Sequence, residues 1–402
     1  MTIAFLASAF IYLEYYGVAS ALLNTLLGLF GLYLLLEASA KTWFVAGAFI
    51  GLFWFYWIVL SLIEYDMLWA VPLELLIIML TYGLLFGAIA KMSEWISEWI
   101  SQKTPQPYSL AIKALGLLCL SYIHPFGFDW FKPELVFVHS YLGMAKWQFS
   151  LILLGLVPRL WHNNMVYLLL ILFAYQAPAT NHTAIPSHIA LVTTHTPVKD
   201  KWNPVLHQAQ FDAIFTEIDH AIDANKSLIV FPESIIPLFL NHNQILLDTL
   251  QSKAKHISIV IGGLYWDGEA PRNSTYIFND KKIQIASKVI LVPFGESNPL
   301  PQFLSDWVNE VFYDGSVDYK ASKEVIDYQI DGITYRNAIC FEATSEKLYQ
   351  GKPKNMIIIS NNGWFTPSIE PTLQKLLLHY YHQKYGTKIY HAINMSESYV
   401  VF

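Results

Sequence analysis

The sequence predicts a multi-span α-helical membrane domain over residues 1–178, followed by an α/β domain over residues 179–402. Charge supports this division, because 16 charged side chains fall within residues 1–178 and 40 within the rest of the chain. Composition supports it too, since 54% hydrophobic, 15% aromatic and only 14% charged residues are typical of a chain that lies partly in lipid. After residue 187, short apolar strands alternate with helical stretches, which predicts a layered α/β domain.

About seven membrane-spanning helices are predicted within residues 1–178. The clearest is 42–63, where 22 residues without a charged side chain can cross a hydrocarbon core about 30 Å thick. The other predicted spans are 3–14, 18–38, 67–90, 109–123, 135–157 and 164–176. No Lys or Arg precedes the first of them, so a retained helix is expected there rather than a cleaved signal peptide.

Loop charges predict how these helices are oriented. Basic residues lie between spans two and three (Lys41), four and five (Lys91, Lys103), and six and seven (Arg159), whereas Glu64 and Asp66 lie in an alternate loop. By the positive-inside rule the basic loops face the cytoplasm, so seven spans place the α/β domain on the opposite face. One span more or fewer would place that domain in the cytoplasm.

Three ionisable residues, Glu74, Lys113 and Lys146, lie within the predicted apolar segments. A charge in hydrocarbon is costly, so each side chain should face another helix, a cavity or the interface. Helix pairing or snorkelling is favoured over a role in substrate binding.

The α/β domain is predicted from strands of five to nine residues and two helices, of which 211–222 is amphipathic. The strands are 188–194, 227–231, 257–265, 275–279, 282–290, 335–341, 355–360 and 388–394, the helices are 211–222 and 370–385, and a tight turn is expected at Asp280-Lys281. Uninterrupted apolar strands such as 227–231 need cover on both faces, which favours a sandwich with helices outside.

Three ionisable residues, Glu233, Lys288 and Cys340, each follow or end a strand that is predicted to be buried. Strand ends in α/β folds are where side chains from separate segments converge on a pocket. If these three meet, the carboxylate can take the thiol proton, the thiolate can attack a carbonyl carbon, and the ammonium can stabilise the oxyanion. Taken singly, a turn carboxylate, a solvated lysine and a core cysteine are the commoner roles.

Four sequence blocks resemble the signature blocks of the nitrilase (carbon–nitrogen hydrolase) superfamily. They are FPESIIP, SKVILVPFGESNPLP, AICFE and ISNNGWF, in this order. The resemblance implies an αββα sandwich and a Glu-Lys-Cys triad. More narrowly, LVPFGE with its Pro-rich continuation, together with a multi-span part that contains GLFWFYWI, is similar to the apolipoprotein N-acyltransferase family.

The resemblance implies a role for each matching residue. Glu233 would be the general base, Lys288 the ammonium on the oxyanion side, and Cys340 the nucleophile. Glu296 would be a second carboxylate that orients Lys288. Supporting or substrate-binding positions would be Phe341, where the acyltransferase usually has Tyr, Glu342, Asn361 and Trp364; Asn362 stands where Asp is usual.

The activity implied by the resemblance is transfer of a fatty acyl chain from a membrane phospholipid through a thioester on Cys340 to an amine. In the resembling family the amine is the N-terminus of a lipoprotein, at the periplasmic face of the bacterial inner membrane. Two apolar stretches, 235–240 and 303–312, are candidate arms that dip into the membrane interface. Ordinary core or loop packing is an equally open interpretation of both.

Other functions remain open from the sequence. The chain ends at Phe402, before the further strands and closing helix typical of the acyltransferase, and in this it is similar to shortened TraB-type conjugal transfer homologues. A conjugation-system role, or a membrane-tethered amidase that uses water as acceptor, would retain the same triad. A transporter is disfavoured by the scarcity of charge within the predicted spans.

Composition also excludes some partners. A net charge of −6 with only three Arg leaves no basic surface for nucleic acid. The two cysteines cannot build a disulfide framework, and Cys119, in an apolar run, is expected to be inert. No cofactor is predicted, and the 13 scattered His residues form no metal-ligating pattern.

Overall fold

The computed structural model describes residues 1–18, 20–102, 106–178, 184–280, 282–297 and 319–402. The chain forms two compact units: the first contains residues 1–125, 129–180 and 367–380, and the second contains residues 126–128, 181–366 and 381–402. Three features discussed above, Lys103, Lys281 and the stretch 303–312, lie outside the described residues.

Helices build the first unit. They are α1 (Thr2–Tyr15), α2 (Ala21–Glu37), α3 (Ala40–Phe55), α4 (Leu60–Glu64), α5 (Val71–Ile100), α6 (Gln106–Leu120), α7 (Lys146–His162) and α8 (Leu169–Leu172). Among the described residues, three helical stretches are long and apolar enough to cross a membrane: Ala40–Glu64, Leu68–Ile100 and Gln106–Gly127. Predicted spans 42–63, 67–90 and 109–123 are thus confirmed as such helices, and α1 and α2 are shorter apolar helices over the predicted spans 3–14 and 18–38.

The span predicted at 135–157 is wrong in its first half. The segment begins within a 3-10 turn, Pro133–Phe137, and becomes α-helical only where α7 starts. Between them, His139 adopts a left-handed backbone (φ 52°) and the Ser140 hydroxyl donates to the Leu142 carbonyl at 3.0 Å. These local bonds replace the helical pattern over an apolar stretch that hydropathy alone cannot distinguish from a helix.

The span predicted at 164–176 is also wrong as a helix. The segment contains a 3-10 turn, Met165–Leu168, followed by the four residues of α8. At about 1.5 Å per residue these turns are too short to cross a bilayer. The predicted total of about seven spans therefore loses this segment, and the number of helices that cross the membrane stays a prediction.

Two of the basic residues assigned to loops lie inside helices instead. Lys91 is in the C-terminal third of α5, which extends ten residues beyond the predicted end of its span, and Arg159 is in the last turn of α7. Polar residues on one face of a helix do not end it, so the apolar stretch is shorter than the helix that contains it.

Lys113 and Lys146 each contact another segment, as expected for ionisable residues within apolar segments. The Lys113 ammonium donates to the carbonyls of Leu36 and Ala38, at 3.2 Å and 2.7 Å, where α2 ends. The Lys146 ammonium lies 2.9 Å from a carboxylate oxygen of Glu134, which the sequence did not single out and which is completely buried.

The last helix, α12 (Glu370–Tyr385), contributes its residues up to Tyr380 to the first unit. The Tyr380 hydroxyl donates to Glu134 Oε1 at 3.0 Å, and the His379 ring packs edge-on against His139 with centroids 4.7 Å apart. The first unit is therefore completed by a segment that follows most of the second unit in the sequence.

Two β-sheets build the second unit. The first has the strand order β1 (Ile189–Leu191), β2 (Leu228–Val230), β4 (Ser258–Trp266), β5 (Pro271–Phe278) and β6 (Ile283–Ser287), with β3 (Ile236–Phe239) also pairing with β4. The second has the order β11 (Tyr399–Val401), β10 (Lys388–Asn394), β9 (Asn355–Asn361), β8 (Ile333–Ile339) and β7 (Asp327–Ile330). Strands β1, β2 and β4 are mutually parallel, as are β8, β9 and β10.

Apolar residues from both sheets share one buried core, which includes Val230, Val260, Ile339 and Ile357. A second core lies between the first sheet and the helices α10 (His207–Asp223) and α11 (Gln244–Lys253). The predicted α/β layering is therefore confirmed. Residues 235–240 are not an arm: they form β3 and its flanks, and Ile235, Ile236 and Leu240 are buried in the second core.

Close packing of α3 against α5 predicts the effect of a larger side chain at Gly47. A Cβ atom there would lie 2.6 Å from both Phe86 Cβ and the Tyr82 carbonyl oxygen. Gly47→Leu should separate the two helices and destabilise the protein by about 1–3 kcal/mol or more, because overpacking forces the backbone to shift. Thermal unfolding in detergent measures this, with Val45→Leu at an exposed position of α3 as the matched control. Equal melting temperatures for the two variants would contradict the packing.

Candidate active site

Three polar residues end or follow three adjacent parallel strands of the second sheet. Cys340 follows β8, Asn361 ends β9 and Asn394 ends β10. The strands are in register, with Ile339 opposite Ile359 and Asn394 opposite Asn361, so these residues meet at one edge of the sheet. The amide of Asn394 donates to Asn361 Oδ1 at 2.7 Å.

Glu233 lies where β2 of the first sheet ends, in a loop that packs closely against β4. A Cβ atom at Gly262 would lie 2.4 Å from the Ser234 backbone nitrogen and 2.7 Å from Glu233 Cα. Glu233 Oε2 accepts the Asn361 backbone N–H at 2.8 Å, and Oε1 accepts the Asn273 amide at 2.6 Å. The carboxylate from one sheet is thus held by the strand end of the other.

Lys288 follows β6 and lies between two carboxylates. Its ammonium is 2.7 Å from Glu296 Oε2 and 3.9 Å from Glu233 Oε1, and the residue is only 1% exposed. The Asn273 amide also donates to Glu296 at 2.8 Å, so Asn273 bridges both carboxylates. The Val292 backbone N–H donates to Glu296 Oε2 at 2.9 Å and fixes its orientation.

Burial and these charges set the protonation of the cluster. Burial raises the pKa of Glu233, the Lys288 ammonium opposes this rise, and the nearby Glu296 carboxylate adds to it. For Lys288, burial would lower the pKa, but the negative charges of Glu296, Glu233 and Cys340 together outweigh it and raise the pKa. Lys288 is therefore a permanent cation, and Glu233 is a stronger base than an ordinary carboxylate.

Cys340 occupies a sharp turn between β8 and the 3-10 segment Cys340–Thr344. Its backbone is left-handed (φ 51°), a conformation that costs a non-glycine residue about 1–3 kcal/mol and recurs at functional sites. Its side chain is partly accessible, and its charge interacts with that of Lys288. An accessible thiol beside a cation is the environment in which a thiolate forms.

Glu342 ties this turn to the segment that carries Lys288. Its Oε2 accepts the N–H groups of Val289 and Ile290, at 2.7 Å and 3.1 Å, and its Oε1 accepts the N–H of Ile339 at 2.8 Å. Burial raises the Glu342 pKa to about 7, with the Lys288 charge and these hydrogen bonds opposing the rise. Glu342 therefore holds the backbone directly after Lys288 and directly before Cys340.

Phe341 directly follows Cys340, and Trp364 follows Asn361 by three residues. The Phe341 ring stacks on Phe128, with centroids 5.4 Å apart and planes 17° apart. Trp364 lies in the 3-10 turn after β9, which Asn361 shapes by accepting the Gly363 N–H at 3.2 Å.

The predicted residues Glu233, Lys288 and Glu296 are brought into direct contact, and Cys340 is placed within their electrostatic reach. Three further buried polar residues were missed: Lys201, Asn273 and Asn394. Asn394 carries the same signal as Glu233, a polar residue that ends a buried strand. Lys201 and Asn273 carry no such signal, because both are flanked by polar or exposed residues.

The described residues hold no cluster of three or more His, Cys, Asp or Glu that could bind a metal ion. The centre brings together a carboxylate, an ammonium and a thiol, the groups that covalent catalysis at a carbonyl carbon can use. Two stacked sheets with a glutamate, a lysine and a cysteine at their strand ends are the arrangement that the resemblance to the nitrilase superfamily implies.

Comparisons with known sequences identify the family to which this chain belongs. Residues 1–178 match the profile of the apolipoprotein N-acyltransferase integral membrane domain. The apolipoprotein N-acyltransferase of Wolinella succinogenes is 39% identical over 99% of this chain and 94% of its own length, and that of Helicobacter pylori is 35% identical over 95% and 88%. The chain belongs to the apolipoprotein N-acyltransferase family, and it is an integral membrane enzyme. The TraB-type alternative is not favoured.

Solved structures that align with about half of the chain share little sequence with it. A CN-hydrolase superfamily protein from Xanthomonas campestris is 13% identical, with a TM-score of 0.39 over 51% of this chain and 75% of that chain. An amidase from Nesterenkonia is 12% identical, with a TM-score of 0.39 over 55% and 82%.

The contact between Gly262 and the Glu233 loop predicts a pair of matched variants. Gly262→Ala should displace Glu233 and lower the melting temperature, because its new methyl group would overlap the Glu233-Ser234 backbone. Gly263→Ala is the control, since a Cβ atom there makes only ordinary contacts at 3.6 Å. Thermal unfolding of both variants tests the contact, which is refuted if Gly262→Ala is as stable as Gly263→Ala.

Proposed function

We propose that this protein transfers a fatty acyl chain from a membrane phospholipid to the N-terminal amine of a lipoprotein, with Glu233, Lys288 and Cys340 as the catalytic residues. The observation that carries the proposal is the buried Lys288 ammonium, which contacts Glu233 and Glu296 and interacts electrostatically with Cys340. The chain belongs to a family whose members are named apolipoprotein N-acyltransferase, and this name supports the proposed class of acceptor.

In the first half-reaction Glu233 takes the proton from Cys340 Sγ, and the thiolate attacks the ester carbonyl carbon of the phospholipid. Lys288 and a backbone N–H stabilise the negative charge on the carbonyl oxygen. When the tetrahedral intermediate collapses, the C–O ester bond breaks and the leaving alkoxide takes the proton from Glu233. The products are a thioester on Cys340 and a lysophospholipid.

In the second half-reaction the acceptor amine attacks the thioester carbonyl carbon and loses a proton to Glu233. The C–S bond breaks, an amide bond forms, and the thiol of Cys340 is restored with the proton that Glu233 holds. Glu296 keeps Lys288 oriented in both steps, and Glu342 holds the Cys340 turn.

A membrane unit in the same chain suits such a donor. A long acyl chain is held in the bilayer by about 0.8 kcal/mol for each buried CH₂ group, so a soluble enzyme would meet its donor only rarely. Tethering keeps the catalytic unit at the membrane that contains its substrate.

A lipid-derived thioester is the first expected result. Incubation of the detergent-purified protein with phospholipid should add the mass of one acyl chain, removable by hydroxylamine, in wild type and in the Cys119→Ala control but not in Cys340→Ala. Glu233→Gln should slow adduct formation by about 100-fold or more, the usual size of a general-base effect. A peptide with a lipidated N-terminal cysteine should then discharge the thioester and gain an amide-linked chain. No adduct on folded protein, or release as free fatty acid only, would refute acyl transfer.

We also propose that the catalytic unit lies on the periplasmic face of the bacterial inner membrane. Lys41 follows α2 and Lys91 lies in the C-terminal third of α5, so the positive-inside rule places both on the cytoplasmic face. The candidate span Gln106–Gly127 then begins on that face and ends on the opposite one, where residues 126–128 already belong to the second unit.

The orientation predicts labelling from outside the cell. Ile245 is 79% exposed, so Ile245→Cys in a Cys119→Ala, Cys340→Ala background should react with a membrane-impermeant maleimide in cells whose outer membrane alone is permeabilised. Labelling only after lysis of the inner membrane would place the catalytic unit in the cytoplasm.

A further inference from the structure

The catalytic cluster contains a second buried lysine, which the triad does not use. Lys201 ends the short helix α9 (Val198–Lys201) and is 1% exposed. Its ammonium donates to the main-chain carbonyl of Glu233 at 3.1 Å. Its charge interacts with both the Glu233 carboxylate and Cys340.

The charges around Lys288 explain why a second cation is needed. Glu233 and Glu296 already place two carboxylates on the single Lys288 ammonium. When Cys340 gives its proton to Glu233, the thiolate replaces the Glu233 charge, so the cluster still sets two negative charges, those of Cys340 and Glu296, against the one Lys288 ammonium. Like charges at short range disfavour ionisation, so Lys288 alone leaves thiolate formation unfavourable.

We propose that Lys201 is a positioning residue that balances this charge: it holds the Glu233 backbone in place and supplies the second positive charge that stabilises the Cys340 thiolate. The inference rests on the proposed role of Cys340 as the nucleophile. The Glu233 carbonyl that Lys201 holds directly precedes Ser234, whose backbone is left-handed (φ 48°). A fixed donor at this carbonyl therefore holds the turn that aims the Glu233 carboxylate at the cluster.

The protonation of Lys201 is consistent with this role. Burial lowers its pKa to about 8, and the negative charges of Glu233 and Cys340 oppose the decrease. The ammonium form therefore prevails at neutral pH and is lost at higher pH. A positive charge lost in this way would no longer favour the thiolate.

Alkylation of Cys340 by iodoacetamide measures the thiolate without any lipid. In a Cys119→Ala background, the rate should be followed by mass spectrometry from about pH 6 to about pH 10. Lys201→Met should slow alkylation at neutral pH about tenfold and raise the pH midpoint by about one unit, because a nearby cation is lost. Lys201→Arg should keep the midpoint near that of wild type. Lys199→Met, which removes an exposed lysine from the same helix, is the matched control and should leave the profile unchanged.

Lys201→Gln separates the charge from the hydrogen bond, since its amide can still donate to the Glu233 carbonyl. It should show the raised midpoint of Lys201→Met at a melting temperature closer to wild type. A wild-type midpoint in either Lys201→Met or Lys201→Gln would overturn the charge-balancing role, and the Gln variant decides the question if the Met variant does not fold. A shifted midpoint without any lipid-derived adduct in wild type would retain this inference and refute only the proposed acyl transfer.

Discussion

The site depends on one buried ion pair network, the Lys288 ammonium between Glu233 and Glu296. Removing such charges from water costs several kcal/mol per ion, so the network is stable only if hydrogen bonds satisfy its remaining oxygens. Asn273 and the backbone N–H groups of Asn361 and Val292 meet that requirement. These donors come from both sheets. The reactive centre is therefore formed only when the two sheets have stacked, which couples the chemistry to the complete fold of the second unit.

The sequence revealed those parts of the site that interrupt an apolar pattern. Glu233, Lys288 and Cys340 each follow or end a strand that the sequence predicts to be buried, and the four superfamily blocks then implied their roles. The sequence pattern did not predict a role for Lys201, because this residue lies in a polar stretch and is buried only by tertiary packing. Asn273 was hidden for a similar reason, since it follows Arg272 and precedes Ser274. Burial of a polar residue among polar neighbours leaves no trace in periodicity.

In the membrane domain, sequence patterns also predicted only part of the structure. The uncharged run 42–63 correctly identified a helical stretch, whereas 135–157, which is also largely apolar, includes an irregular segment that is mostly buried. Within such a segment the polar groups are satisfied by specific partners, as when Ser140 bonds to Leu142. Lipid supplies no hydrophobic drive between helices, so close approach at small residues such as Gly47 must hold α3 and α5 together. Hydropathy predicts whether a segment lies in an apolar environment, but it does not predict these specific contacts.

The division of α12 between the two units bears on how the protein is made. Residues 1–178 leave the ribosome first, yet Glu134 receives its Tyr380 partner only after most of the second unit has been synthesised. At about 5–20 residues per second, roughly 10 to 40 s separate the two segments. During that interval the buried Glu134 carboxylate relies on Lys146 and Ser121 alone. The first unit is synthesised early, but its packing is complete only after residues 367–380 have been translated.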